Sequence, residues 1–204
     1  MNTGSGLPEQ LVAPRVTLRD WQLDDAAMLR SVLAVNQAHL IGWIPDAIAL
    51  VDTVEALTRR IEAFRSDACA GLRERRALID RHDGTLLGGI DLFGRTTKER
   101  VPLAVADRLE IGYWIRAEST GRGLVTEAVR ALIQQLPAEA RWTQAVIRCD
   151  VRNLASRRVA ERLGFLWSAR EAVLHPTDSG VAYDVDTWAH PLPYVSAPPL
   201  TPIS

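Results

Sequence analysis

The sequence predicts a mixed α+β (α/β) domain: a central, mostly antiparallel, twisted sheet of about seven strands with helices on both faces. Three observations carry that reading. Seven short runs alternate apolar and polar residues as strands do, and four longer ones repeat apolar residues at helical spacing. The runs follow one another as strand, two helices, three strands, helix, strand, helix, two strands. Two of the strand runs meet across Asp83-Gly84, the strongest short hairpin signal.

The first strand is RVTLRDW, residues 15–21. DDAAMLRSVLAVNQAHL (24–40) follows as a helix whose acidic start suits the positive end of the helix dipole. TVEALTRRIEAFRS (53–66) lines up Leu57, Ile61 and Phe64 on one helical face. RRALIDRHDGTLLGGIDLFG (75–94) is the hairpin, and DRLEIGYWIR (107–116) a further strand. A helix runs roughly from Gly123 to Leu136 and is closed by Pro137. WTQAVIRCDV (142–151) is a strand, and LASRRVAERLGF (154–165) a short helix ending at Gly164. FLWSAREAVL (165–174) and VAYDVDTWAH (181–190) close the sheet. The helices at 123–136 and 154–164 each lie between strands, which allows local parallel pairing.

Residues 1–13 are weakly patterned and read as a loose leader. Residues 191–204 hold five of the eleven prolines and read as an extended tail. Between them no composition break or repeat appears, so 14–190 is one domain.

Bulk properties exclude several function classes. Of the 204 residues 47% are hydrophobic and 24% charged, ordinary for a globular chain. The net charge is −1 and the pI about 6.4, so no polyanion-coating surface and no nucleic-acid partner is expected. Two distant cysteines, Cys69 and Cys149, give no zinc spacing and no disulfide framework, which fits a reduced, cytoplasmic setting without a metal. The start MNTGSGLPEQ lacks the charge and apolar run of a signal peptide, and no stretch is long enough to span a bilayer.

EIGYWIRAESTGRGLVTEAVRALI (110–133) passes from a strand through Gly121, Arg122 and Gly123 into an amphipathic helix. Glycine permits positive φ and close approach of a ligand to the backbone. The first-turn amides lack helical acceptors and sit at the positive end of the dipole, so the turn suits a phosphate, assisted by Arg122. A tight structural turn accounts for the same glycines. The pattern is neither a P-loop nor a dinucleotide fingerprint.

VRNLASRRVAERLGF (151–165) adds Asn153, Ser156 and the Leu163-Gly164-Phe165 ending. Together with EIGYWI and TGRGLVTEA, in this order and spacing, it resembles the GNAT acetyltransferase superfamily, in its RimJ/RimL-like branch. VTLR, HLIGWIP and GTLLGGIDL extend the resemblance over about residues 14 to 190.

The resemblance implies the GNAT acyl-CoA N-acyltransferase fold and transfer of acetyl from acetyl-CoA to an amine by direct attack. The strands holding Tyr113–Ile115 and Val146–Asp150 would splay apart around the cosubstrate. Its pyrophosphate would rest on the backbone from Gly121 through Thr126, past Arg122, Gly123, Leu124 and Val125. The pantetheine arm would pair with the strand edge at Trp114, Ile115 and Arg116. Thr120 stands where the family has Gln or Arg, and Val125 where it has Gly or Ala. Thr120 keeps a hydroxyl but no charge, and Val125 crowds the phosphate approach.

Asn153 is a good N-cap, and in the family it also contacts pantetheine. Ser156 either faces solvent or protonates the departing thiolate. Glu110 is the first choice of base, with a pKa raised by burial, against an ion pair with a neighbouring arginine. Glu171 and His175 are the alternative bases. Arg152, Arg157 and Arg158 meet the cosubstrate's 3′-phosphate or form a solvated helix face. Trp43 borders the acceptor pocket or packs in the core.

The acceptors implied are a protein N-terminal α-amine, of the ribosomal-protein type, or a small-molecule amine. A third reading is a non-catalytic acyl-CoA sensor. A homodimer is compatible with the proline-rich tail.

Overall fold

The computed structural model describes residues 6–44, 53–137, 141–174 and 182–193. Among them the strands are β1 (Gln10–Val12), β2 (Val16–Asp20), β3 (Arg73–Asp80), β4 (Leu86–Arg95), β5 (Arg100–Val101), β6 (Arg108–Ile115), β7 (Gln144–Asp150), β8 (Leu166–Leu174) and β9 (Ala182–Pro191). The helices are α1 (Asp25–Val35), α2 (Gln37–Leu40), α3 (Val54–Cys69), α4 (Leu124–Gln134) and α5 (Leu154–Arg162).

All nine strands join one sheet in the order β1-β2-β3-β4-β6-β7-β9-β8, with β5 on β4. Every described pairing is antiparallel except β6 with β7. The hairpin forms as its sequence demands: Gly84 takes φ +74° and the Thr85 amide donates to Asp83 Oδ1 at 2.9 Å.

Period-two alternation splits the apolar residues between two cores. Leu18, Leu78, Leu92 and Ile147 pack with Leu124, Val129 and Leu132 of α4 and Ala160 of α5. Ala77 and Ile79, on the other face, pack with Leu29 and Leu33 of α1 and Leu57, Ile61 and Phe64 of α3. Helices therefore cover both faces, as the sequence predicts.

Three local features differ from the sequence reading. The strand count is nine because β1 and the two-residue β5 are added. β1 lies within the span read as a loose leader, where Leu7, Leu11 and Ala13 are buried in the core. Their apolar area outweighs the weak patterning around them. The long helix expected over 24–40 is broken at Asn36, whose side chain donates to Val32 O at 2.8 Å and accepts from the Ala117 amide at 2.7 Å. That second bond ties the end of α1 to the loop after β6.

Candidate active site

β6 and β7 run side by side only over Arg108↔Gln144, Leu109↔Ala145 and Glu110↔Val146. Beyond that point β6 pairs only with β4 and β7 only with β9, although both strands continue. The sheet therefore opens between them, leaving the β6 edge from Ile111 onward without a strand partner. Such an edge presents backbone donors and acceptors to an extended ligand.

At the far end of β6 lies the glycine turn. Gly121 and Gly123 take φ +72° and +76°, and Gly123 is the N-cap of α4. The Glu127 amide donates to the Gly123 carbonyl at 3.0 Å, so the amides earlier in the turn precede the helical ladder. Leu124 and Val125 direct their side chains into the core and offer the site only backbone. The Thr120 hydroxyl donates to the Ala117 carbonyl at 2.7 Å, so its proton is already engaged. A second guanidinium, missed in the sequence, frames the turn: Arg15 Nη1 donates to the Arg122 carbonyl at 3.0 Å, and Arg15 Nε to Glu127 at 2.7 Å. Arg122 itself is exposed beside it.

The cleft between the parted strands has a volume of about 410 Å³ and passes through the sheet. Ile111 and Tyr113 line it from the face that packs on α4 and α5; Glu110, Gly112 and Trp114 line it from the face covered by α1 and α3. On that second face, register sets Arg75, Asp91 and Gly112 in one row across β3, β4 and β6. Gly112 contributes no side chain, and the space where its Cβ would stand is approached by the Phe93 ring at 3.5 Å and the Asp91 Cβ at 3.7 Å. The Asp91 carboxylate remains 31% exposed, and burial pushes its pKa up against the lowering charges of Arg75, Arg60 and Arg100. Asp91 was not visible as a site residue in the sequence, because only the register brings it to the cleft.

Glu110 is buried, 4% exposed, where the strands part. The raised pKa expected of it is overturned. Burial does push the carboxyl up, but the hydrogen bond and charge of Arg100, then the charges of Arg95 and Arg148, outweigh it. Arg95 Nη1 donates to Glu110 Oε2 at 3.0 Å, and Arg100 donates to Oε1. The carboxyl is thus held below the usual range, in the ion pair that the sequence left open.

Ser156 is buried rather than solvent-facing. Its hydroxyl lies 2.9 Å from the phenol of Tyr113, and its amide donates to Asn153 Oδ1 at 3.0 Å, making Asn153 the N-cap of α5. Burial pushes the Tyr113 phenol well above its ordinary pKa, so it keeps its proton. Cys149 lines the same stretch of cleft, its thiol raised by burial. Neither Tyr113 nor Cys149 was singled out from sequence.

The remaining candidates are less central. Trp114 packs its ring beside Gly89, where an added Cβ would come within 2.8 Å of the indole nitrogen. The Arg116 amide donates to Leu87 O at 2.8 Å, toward β4 rather than the open edge, and its side chain pairs with Glu118. Ile115 is partly buried against the core. Glu171, on β8 and outside the cleft lining, is bonded to Arg148 of β7. Arg152 and Arg157 are held by Asp150 and Glu161, and Arg158 is exposed. Trp43, 43% exposed, borders the cleft. His175 lies outside the described residues.

Comparison with known proteins agrees with this geometry. Residues 15–166 match the acetyltransferase (GNAT) domain model. The "Putative ribosomal N-acetyltransferase YdaF" of Bacillus subtilis (strain 168) is 32% identical over 161 residues, covering 76% of this chain and 80% of that protein. Two solved structures share the fold. The microcin C7 self-immunity acetyltransferase MccE, in complex with acetyl-CoA and AMP, has a TM-score of 0.76 at 22% identity, covering 88% of this chain and 93% of that one. Mycobacterium smegmatis RimJ, in complex with CoA-disulfide, has a TM-score of 0.75 at 23% identity, covering 95% and 93%. The parted strands, the left-handed glycines and the hydroxyl pair fit an acyl-CoA, and the chain belongs to the GNAT acetyltransferase family, as an acetyl-CoA-dependent N-acetyltransferase.

Proposed function

We propose that the acceptor is the α-amine at a protein N-terminus. The observation that carries this reading is the passage through the sheet: an amine entering from the α1/α3 face must arrive end-on between Asp91, Gly112 and Glu110. A free chain end suits such a slot. The name of the B. subtilis relative, a ribosomal N-acetyltransferase, supports a ribosomal-protein type of target and a cytoplasmic one.

Acetyl-CoA, when bound, supplies an activated acetyl thioester. The turn from Thr120 to Thr126 and the open β6 edge around Ile115 would hold it, with Asn153 and Ser156 beside its thiol end. Asp91 accepts a proton from the incoming ammonium, and the free amine forms the new N–C bond as the C–S bond breaks. Ser156, backed by the Tyr113 phenol, gives its proton to the leaving sulfur and regains one as the nitrogen sheds its second proton to become the amide, so the net proton released is the one on Asp91. Glu110 anchors Arg95 and Arg100 and sets the charge of the cleft. Most of the acceleration comes from holding amine and thioester together.

A small-molecule amine is the second reading, favoured by a cleft volume of about 410 Å³ that also suits a compact ligand. The two are separated by offering short peptides with free or formylated N-termini, each containing an internal lysine. Acetylation confined to the free α-amine is expected. Acetylation of lysine alone, or of no peptide, sinks the N-terminal reading.

A further inference from the structure

Among the described residues, Arg75, Arg95 and Arg100 at the acceptor end of the cleft face two carboxylates, Asp91 and Glu110. Arg75 faces Asp91 across β3 and β4 with Nε 3.6 Å from Oδ2, longer than a hydrogen bond. Arg75 Nε is buried and has no hydrogen-bond partner among the described residues. Glu110 serves two arginines at once, Arg95 and Arg100.

Two of these cations sit over aromatic rings. Arg75 lies 4.4 Å from the Phe64 centroid and Arg100 3.8 Å from that of Phe93. A guanidinium held over a ring face is restrained by the cation–π contact and keeps its N–H donors for an acceptor such as a carboxylate. Arg75 also loses proton affinity, chiefly through burial that the Asp91 charge does not fully offset.

This arrangement acts on an arriving amine in two ways. Surplus positive charge favours the neutral amine, which is the form that attacks. The same charge repels the ammonium form on approach, and an acceptor that carries its own anion cancels the repulsion.

We infer that the acceptor carries a carboxylate within two residues of its α-amine, an Asp or Glu near the N-terminus, and that Arg75, with Arg100 beside it, receives that group. This rests on the α-amine reading and narrows its substrate class. Arg75 is here a specificity residue, since it meets the acceptor's side chain and not the reacting atoms.

The test uses the full chain, acetyl-CoA and three peptides alike except for Asp, Asn or Lys at the second position. The Asp peptide is expected to exceed its Asn twin about tenfold in kcat/KM, with the Lys peptide lowest. Added salt shrinks the preference. Arg75→Gln brings the Asp-to-Asn ratio close to one, and a retained rise in Tm with acetyl-CoA shows that the variant is folded. Arg75→Lys keeps the charge without the fork and is expected to keep part of the preference.

Equal rates for Asp and Asn peptides in the parent chain overturn the inference and leave the α-amine reading standing. No acetylation of any peptide, with transfer to an anionic small-molecule amine instead, overturns that reading itself. A ratio unchanged in folded Arg75→Gln removes Arg75 from acceptor recognition.

Discussion

The phenol of Tyr113 lies 2.9 Å from the hydroxyl of Ser156, joining β6 to the first turn of α5 across the gap where β6 and β7 have parted. The two residues are 43 apart in sequence. Each is buried or nearly so, and the Tyr113 phenol also lies 3.2 Å from the Ser156 carbonyl oxygen. A hydroxyl placed this way is backed by a phenol that stays protonated across the working pH range.

Ser156→Ala is therefore expected to lower kcat about a hundredfold with acetyl-CoA affinity within a few-fold of the parent. Tyr113→Phe keeps the ring and loses the phenol, costing about tenfold in kcat and about 1 kcal/mol of stability. Steady-state rates and acetyl-CoA titrations check both. A parental rate in Ser156→Ala takes proton donation away from that hydroxyl.

Asp91 gives the site its pH dependence. Its pKa is raised above the ordinary value of 3.8, chiefly by burial. As proton acceptor it works ionised, so activity falls as pH drops through that raised value. Asp91→Asn is expected to lower kcat about a hundredfold and to erase this acidic limb. A profile whose acidic limb survives in Asp91→Asn assigns the limb to another group.

Glu110 acts on stability with the opposite sign. Its carboxyl is held below its ordinary value of 4.5, so the folded chain gains stability above the unfolded-state value and loses it as pH falls through the folded one. Glu110→Gln leaves Arg95, 8% exposed, without its charge partner. The loss is expected to be about 3 kcal/mol at pH 7 and to narrow in acid. Urea unfolding at a series of pH values reads it. A difference that is constant with pH contradicts the paired-carboxylate account.

The glycine turn separates backbone strain from contact. A Cβ on Gly123 would find only Arg15 Nη2, at 3.8 Å, and one on Gly121 nothing within 4 Å, yet both residues need positive φ. Gly121→Ala and Gly123→Ala are each expected to cost about 1 kcal/mol and to weaken acetyl-CoA binding more than turnover at saturation. Calorimetric titration measures the affinity. An unchanged acetyl-CoA affinity in both variants moves the phosphate contacts away from this turn.

The glycine turn, the Asp83-Gly84 hairpin and the Asn153 cap were legible because each depends on residues close together in the chain. The parting of β6 and β7 was legible only through family resemblance, since nothing local in EIGYWI or AVIRCD marks where pairing ends. Asp91 and Arg75 were hidden for a related reason. Their row with Gly112 exists through strand register, which a one-residue slip would turn to the opposite face. Glu110 was found, but its proton affinity was misjudged because Arg95 and Arg100 reach it through the fold, 15 and 10 residues away. β1 was missed because three residues carry too little alternation to read as a strand.

The most direct test of the central claim, a protein α-amine as acceptor, is transfer of isotopically labelled acetyl from acetyl-CoA into a size-fractionated cell lysate. The account predicts label in protein, located by mass spectrometry to the N-terminus of a chain with an acidic residue close behind it. Label found only in small molecules contradicts it.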